Sequence, residues 1–107
     1  MSADDLQGLV AIAGNVQEPP DVRIAAIRQL ADLDDEAALA TLIRLSTEPD
    51  PEPPVRGSIA ESLAVSMVRQ GLLGSQENDL LPFYAWSDEL FEVYDKTVAK
   101  LQRKTAR

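Results

Sequence analysis

Apolar residues recur along this chain at the spacing of a helix and almost nowhere alternate as they do in a strand. The first predicted helix begins at Ser2, a residue type that caps helix N-termini well. Its apolar residues share one face: Leu6, Leu9, Val10 and Ala13. It ends at Gly14 and Asn15, which are typical of helix C-termini. The chain therefore opens with an amphipathic helix.

Three further helices are predicted between residues 20 and 70. The second runs from Pro20 to Ala31 and carries apolar residues on two opposite sides, which indicates packing from two directions. The third is capped by Asp34 or Asp35 and ends before the proline-rich stretch 48–54, because proline cannot occupy a helix interior. The fourth follows that stretch and ends at about Gln70.

The last third of the chain is less regular. Asn78 or Asp79 could cap a short helix that runs through Phe83. The final helix is capped by Ser87, and Trp86 before the cap pairs with Phe91 as a hydrophobic staple. No segment has a strand pattern. We therefore predict an all-α protein of five to six helices.

The sequence repeats itself with an offset of 33 residues. The matches in the first helices place Leu6, Leu9, Val10 and Ile12 on Leu39, Leu42, Ile43 and Leu45. Those in the second helices place Pro20, Val22, Arg23, Leu30 and Ala31 on Pro53, Val55, Arg56, Leu63 and Ala64, five identities in twelve positions. One offset that serves both helices indicates a repeated helix pair.

These repeats resemble HEAT repeats, especially the short HEAT-like units of phycobilisome lyases. The resemblance rests on residues 21–33, on residues 37–43 and on the Val-Arg and Leu-Ala pairs of the second unit, and it covers residues 4–70. It implies a short α-solenoid of antiparallel helix pairs that holds other proteins. It also implies that Arg23 and Arg56 form a structural ladder, each pairing with an aspartate near the turn.

The repeat pattern departs at Gly57 and fails after Gly71. Two units and a half are fewer than the three that usually stabilise such an array. We therefore expect a single domain over residues 1–107, with repeats over 4–70 and an aromatic-rich C-terminal cap over 75–107. A partner that completes the core is the alternative.

Charge is unevenly distributed. The chain has 18 acidic and 10 basic residues, for a net charge of −8. Residues 1–92 hold 17 acids and 5 arginines, whereas one acid and five basic residues follow from Asp95 onward. An acidic body disfavours nucleic acid, which needs a basic face. It favours a protein partner with a basic surface.

The composition also excludes much chemistry. Cysteine and histidine are absent, which removes thiol nucleophiles, histidine bases and the usual transition-metal ligands. Residues 32–36 begin like a calcium loop, but Ala37 and Ile43 stand where such a loop has glycine and glutamate. We expect no enzyme activity, no cofactor and no metal. No apolar run reaches the ~20 residues of a membrane span, and residues 1–5 are acidic where a signal peptide is basic, so we expect a cytoplasmic protein without a membrane partner.

Two groups of residues are candidate binding sites. The five aromatic residues fall between positions 83 and 94: Phe83, Tyr84, Trp86, Phe91 and Tyr94. They either form an interface, with Tyr84 and Trp86 as anchors, or seal the open end of the last repeat. The second group consists of acids in two equivalent turns, which stacking should align along one edge: Glu18, Asp21, Glu48, Asp50 and Glu52. They either attract a basic partner or serve as solvated helix-capping residues.

These observations favour a non-catalytic adaptor that binds another protein. One alternative is an immunity-type inhibitor that neutralises a basic toxin, since such proteins are often small and acidic. Another is a structural subunit that forms a homodimer through residues 83–94 and so completes the short array.

Overall fold

The computed structural model describes residues 3–33, 35–48 and 52–105. They form α1 (Ala3–Gly14), α2 (Pro20–Ala31), α3 (Glu36–Ser46), α4 (Pro53–Arg69), α5 (Ser75–Leu80), a 3₁₀ turn (Phe83–Ala85) and α6 (Asp88–Thr105). None of the described residues belongs to a β-strand. The predicted all-α class is therefore confirmed.

Local sequence signals account for most helix boundaries. Helix α2 begins at Pro20, since proline in the first turn has no amide hydrogen to satisfy. Asp35 caps α3, and its carboxylate accepts hydrogen bonds from the amides of Ala37 at 2.7 Å and Ala38 at 3.4 Å. The other proposed caps, Ser2 and Asp34, lie outside the described residues.

A glycine ends α4 close to the predicted position. Gly71 adopts a φ of +67°, which favours glycine because it has no Cβ. The amide of Leu72 donates to the carbonyl of Met67 at 2.9 Å, and the amide of Gly71 donates to Val68 at 3.2 Å. These two bonds form a Schellman motif, which satisfies the last carbonyls of the helix.

The predicted start of the short helix is wrong. Helix α5 begins at Ser75, so Asn78 and Asp79 lie inside it. Gly74 precedes it with a φ of +96°, and its amide donates to the Glu77 carboxylate at 3.0 Å. This cap combines a glycine with a glutamate that reaches back, so it lacks the Ser, Asp or Asn signal on which the prediction relied. Phe83 lies in the following 3₁₀ turn.

The helices form a short α-solenoid. Helix α2 packs against α1, α3 and α4, and α4 packs against α2, α3 and α6. The second helices of the units, α2, α4 and α6, therefore lie side by side, while α1 and α3 form the other layer. The contacts of α2 with three helices confirm that it packs from more than one direction.

The array continues beyond the sequence repeat. Helix α6 packs along α4 as α4 packs along α2, so it is the second helix of a third unit. Helix α5 and the 3₁₀ turn stand where that unit would have its first helix. The expectation of two units and a half therefore understates the array, because packing persists where the 33-residue register is lost.

A single hydrophobic core connects the units. Its largest fully buried aliphatic residues come from the first two units: Ile27, Leu30, Leu42, Leu45, Ile59, Leu63 and Met67. The third unit contributes Leu81, Trp86, Leu90 and Tyr94 to the same cluster. The C-terminal cap is thus continuous with the repeats.

Candidate functional site

Three connections lie along one edge of the solenoid, and we call this the turn edge. They comprise residues 15–19, the described residues 47, 48 and 52 of the second connection, and residues 81–87, and each lies between the first element of a unit and its second helix. Because successive units stack side by side, equivalent connections fall on the same edge. Six of the partner-binding candidates from the sequence lie in or next to these connections: Glu18, Asp21, Glu48, Glu52, Tyr84 and Trp86. The seventh, Asp50, lies outside the described residues.

The first connection presents acids beside a proline turn. The Asn15 side chain accepts a hydrogen bond from the Gln17 amide at 2.9 Å, and the Glu18 amide donates to the Asn15 carbonyl at 3.1 Å. Glu18 is half-buried, whereas Asp21 is exposed in the first turn of α2. An acid there interacts favourably with the positive end of the helix, so Asp21 has a structural role as well as an accessible charge.

The second connection presents two further carboxylates. Glu48 is half-buried and follows the end of α3, while Glu52 is exposed immediately before Pro53. The backbone carbonyl of Glu52 accepts a hydrogen bond from the Arg56 amide at 3.0 Å, which leaves its side chain outside the first helical turn's bonding. Residues 49–51, which join the two carboxylates in sequence, lie outside the described residues.

The third connection separates two neighbouring aromatic residues. The Tyr84 side chain is exposed, with 93% of the residue accessible, whereas Trp86 is only 8% exposed. The indole Nε1 of Trp86 donates to Ser46 Oγ at 3.0 Å, which ties this connection to the end of α3. Trp86 is therefore part of the core, where a partner cannot reach its ring. Of these two aromatic residues, Tyr84 is the accessible one.

Four rings pack together beneath this connection. Phe83 stacks on Phe91 with ring centroids 5.0 Å apart, and Trp86 meets Phe91 edge to face at 5.3 Å. The second of these contacts confirms the predicted staple. Tyr94 lies 5.3 Å from Trp86, also edge to face. This arrangement corresponds to the alternative in which the rings seal the end of the array.

Tyr94 connects the ring cluster to α5. Its hydroxyl donates to the Glu77 carboxylate at 2.7 Å. Burial raises the pKa of the Tyr94 hydroxyl well above its ordinary value, and the hydrogen bond to the anionic Glu77 and the charges of Glu77 and Asp95 raise it further. Glu77 thus caps α5 through one oxygen and holds Tyr94 through the other.

A small pocket lies between the second and third connections, and we call it the slot. Its lining combines apolar and polar residues: Leu45, Ser46, Glu48, Arg56, Ile59, Ala85, Ser87 and Leu90. Its volume is about 140 Å³. Small-molecule sites usually enclose roughly 300–1,000 Å³, so the slot is smaller than a typical site of that kind.

Arg56 lines the slot and has an unused donor. Its Nη1 lies 4.0 Å from the Glu89 carboxylate of α6. Its Nε is buried and has no hydrogen-bond partner among the described residues. An unsatisfied buried donor is destabilising, so the other contacts of the Arg56 side chain must offset this cost.

Arg23 and Arg56 hold equivalent repeat positions but make different contacts. Arg23 is buried, and its Nε donates to the carbonyl of Ala13 at 3.1 Å. Arg56 instead reaches Glu89 of the third unit. The resemblance implied an aspartate partner for each arginine, whereas these contacts are with a carbonyl and a glutamate. The two units therefore share an arginine at this position, but the two side chains have different partners.

Ser46 is a site residue that sequence reasoning missed. It corresponds to Ala13 in the 33-residue register, and Ala13 is fully buried. Ser46 Oγ donates to the Ile43 carbonyl at 2.6 Å and accepts from Trp86. The available signal was a serine at the position where the preceding unit has a buried alanine. A buried hydroxyl requires hydrogen-bond partners, so this serine indicates a polar contact that the alanine does not make.

Neither metal chemistry nor membrane insertion has structural support in the described residues. No group of three acidic side chains among them could hold a metal ion. No helix in the same part of the chain is both long and apolar enough to cross a bilayer.

Comparison with known proteins gives one match. The family model for HEAT repeats matches residues 6–78, which include most of α1, all of α2 to α4 and most of α5. A search of curated proteins found no match, and neither did a search of solved structures. The matched region exceeds half of the chain and agrees with the stacked helix pairs described above. The chain therefore belongs to the HEAT-repeat family.

Proposed function

We propose that this protein is a non-catalytic adaptor that binds a protein partner with a basic surface through the turn edge. HEAT repeats generally mediate protein–protein interaction. The observation that carries the proposal is the exposed side chain of Tyr84, whose neighbour Ala85 lines the slot together with Glu48 of the second connection. The exposed Glu52 lies on that same connection.

These groups suit a lysine or arginine of the partner. Exposed acids accelerate the approach of a basic surface and favour the correct orientation. A cation over the Tyr84 ring contributes roughly 0.5–1 kcal/mol at an exposed position. The apolar lining residues of the slot, Leu45, Ile59 and Leu90, can accept the aliphatic stem of the same side chain.

The slot hydroxyls support a binding role. Ser46 Oγ is engaged with Ile43 and Trp86, and Ser87 Oγ accepts a hydrogen bond from the Leu90 amide at 3.2 Å. A catalytic serine requires an adjacent base that takes its proton. Both hydroxyls have structural partners instead.

Charge reversal on the turn edge tests this function. Wild-type protein and the double variant Glu48→Lys/Glu52→Lys are immobilised and used to capture proteins from native lysate at low and high salt. We expect a stoichiometric partner that the variant loses and that high salt releases. Tyr84→Ser should weaken the same capture without altering its salt dependence.

The matched control carries the same charge change on the opposite edge. Asp32 and Glu36 are exposed near the connection between α2 and α3, so Asp32→Lys/Glu36→Lys should retain the partner. Equal losses in both double variants would show that only net charge matters. Capture that resists both salt and Glu48→Lys/Glu52→Lys would contradict the proposal.

The inhibitor alternative would use the same acids. Its distinguishing property is rescue of growth when the chain is co-expressed with a basic toxin, and such rescue should disappear in Glu48→Lys/Glu52→Lys. The homodimer alternative used the ring cluster, but Phe83, Trp86, Phe91 and Tyr94 pack against one another within the chain. That packing favours the adaptor.

A further inference from the structure

The N-terminal end of the solenoid presents an open apolar groove. Leu9, Ile12, Val22 and Ala25 line it, together with Asp21 and Gln29, and its volume is about 370 Å³. We call it the end groove. Ile12 and Val22 are among the exposed large hydrophobic residues, and Val16 in the adjoining turn is 71% exposed. Terminal units of such arrays usually present a polar outer face, so this end is unusual.

The repeat register shows what the end groove lacks. Val22 is 38% exposed, whereas its equivalent Val55 is 1% exposed. Ala25 and Gln29 are exposed, whereas their equivalents Ser58 and Ser62 are buried. Helix α4, which carries these three equivalents, packs along α2. The corresponding side of α2 faces the end groove, so a helix lying beside α2 would bury it in the same way.

Charge at the groove limits the sequence of that helix. Asp21 lines the groove and Glu18 lies in the adjoining turn. A second copy that presented the same face would bring equivalent acids together, which is unfavourable. The most amphipathic helix of the chain, α6, already packs along α4. Complementarity therefore favours a helix from another protein with basic residues beside its apolar stripe.

We propose that the end groove binds a basic amphipathic helix of a partner protein, with the apolar stripe against Val22 and Ala25 and a lysine or arginine at Asp21. The inference rests on the proposed function, because Asp21 and Glu18 also belong to the turn edge. It adds a second docking position, where a partner helix would extend the array by one member.

The probe is a designed Leu/Lys peptide with helical periodicity, and its binding to the intact chain is measured by fluorescence anisotropy. Ala25→Arg places a large cation in the groove at an exposed position, and we expect it to weaken binding at least about tenfold. Ala40→Arg makes the same change at an exposed position of α3 and should bind like wild type. A Leu/Glu peptide with the same apolar stripe should bind at least about tenfold more weakly than the Leu/Lys peptide.

The outcomes separate this inference from the proposed function. Glu48→Lys/Glu52→Lys should leave peptide binding near the wild-type value, because those residues do not line the end groove. Equal binding by Ala25→Arg and wild type, or equal binding of the two peptides, would overturn the inference while leaving the turn-edge experiment intact. Dimerisation of wild type that Ala25→Arg abolishes would also overturn it, since a second copy would then cover the groove. If circular dichroism shows that Ala25→Arg is unfolded, Val22→Ser serves as the second variant.

Discussion

The two ends of this solenoid differ in how their apolar residues are covered. At the C-terminal end, α6 turns Leu90 and Tyr94 into the core while its acidic and basic residues face outward, and four rings fill the space beside it. At the N-terminal end, Ile12, Val16 and Val22 remain exposed. A repeat buries its apolar faces only against neighbours. Among the described residues, α6 and the rings therefore cover the C-terminal side, whereas the apolar residues of the N-terminal side have no such cover.

The same difference explains how a third unit with a short first helix can close the C-terminal end. Helix α5 is six residues long, too short to replace a full first helix. Aromatic side chains occupy the missing volume, because each ring buries more area than an aliphatic residue. Glu77 then connects the short helix to Tyr94. At the closed end, aromatic side chains therefore fill the space that a full first helix would fill.

The strongest test of the closed end is Trp86→Ala. The substitution removes a buried ring and leaves Ser46 Oγ without its donor, so we expect unfolding free energy to fall by about 3–5 kcal/mol. Urea unfolding measures the change. Tyr84→Ala, two residues away but exposed, should change stability by less than about 0.5 kcal/mol. Similar losses in both variants would show that the cluster is not a seal.

A repeat-equivalent pair tests the open end. Val55→Ala should cost about 2 kcal/mol because this side chain is fully buried, while Val22→Ala should cost less than about 0.5 kcal/mol. Both residues lie near the start of the second helix of their unit, so the effect of helix propensity is the same in the two variants and cancels when their stability costs are compared. Urea unfolding of the isolated chain measures both. A cost at Val22 equal to that at Val55 would mean that the N-terminal end is covered in solution.

Alkaline pH should weaken the closed end through Tyr94. Its folded pKa is raised above the unfolded value of about 10, so unfolding releases a proton once the pH exceeds that value. The contribution is fully present below about pH 10 and is lost as pH rises, by up to about 1.4 kcal/mol per pH unit.

The variant Tyr94→Phe isolates this contribution. The unfolding free energies of wild type and variant are measured in urea between about pH 9 and 11. Lysine titration affects both proteins equally, so it cancels in the difference between these free energies. We expect the wild-type advantage, which includes the hydrogen bond to Glu77, to shrink across that range. A difference that stays constant would show that the Tyr94 pKa is not raised.

The smallest expected effect concerns the start of α6. Ser87→Ala removes the side-chain oxygen that accepts from the Leu90 amide and should cost about 1 kcal/mol. Ser87→Asp retains an acceptor and should remain near wild type in thermal unfolding. A stability for Ser87→Ala equal to wild type would indicate that packing of Trp86 and Phe91 alone fixes this end of the helix.

Regular helices were readable because their signals are local. Pro20, Asp35 and Gly71 each satisfy or terminate backbone bonding within one turn, so α2, α3 and α4 have the predicted bounds to within about a residue. The start of α5 was not readable in this way. Its cap depends on Gly74 at positive φ and on Glu77, which also holds Tyr94 from a distant helix.

The sequence predicts only part of the candidate binding surface. Repeat register predicts that Glu18 and Glu48 occupy equivalent turns, and the topology puts both on the turn edge. Nothing in the local sequence distinguishes Tyr84 from Trp86. Their exposures differ because Trp86 meets Ser46 across forty residues of chain, whereas Tyr84 points away from that contact.

The helical class, the 33-residue unit, the acidic turns and the absence of cysteine and histidine all follow from residue type and spacing. Packing in three dimensions was needed to show that α6 continues the array along α4, which aromatic ring is accessible, and that the apolar residues near the N-terminal end are exposed. Those properties depend on which neighbour covers a face. Val22 and Val55 are the same residue in the same register, and packing alone leaves one exposed and the other buried.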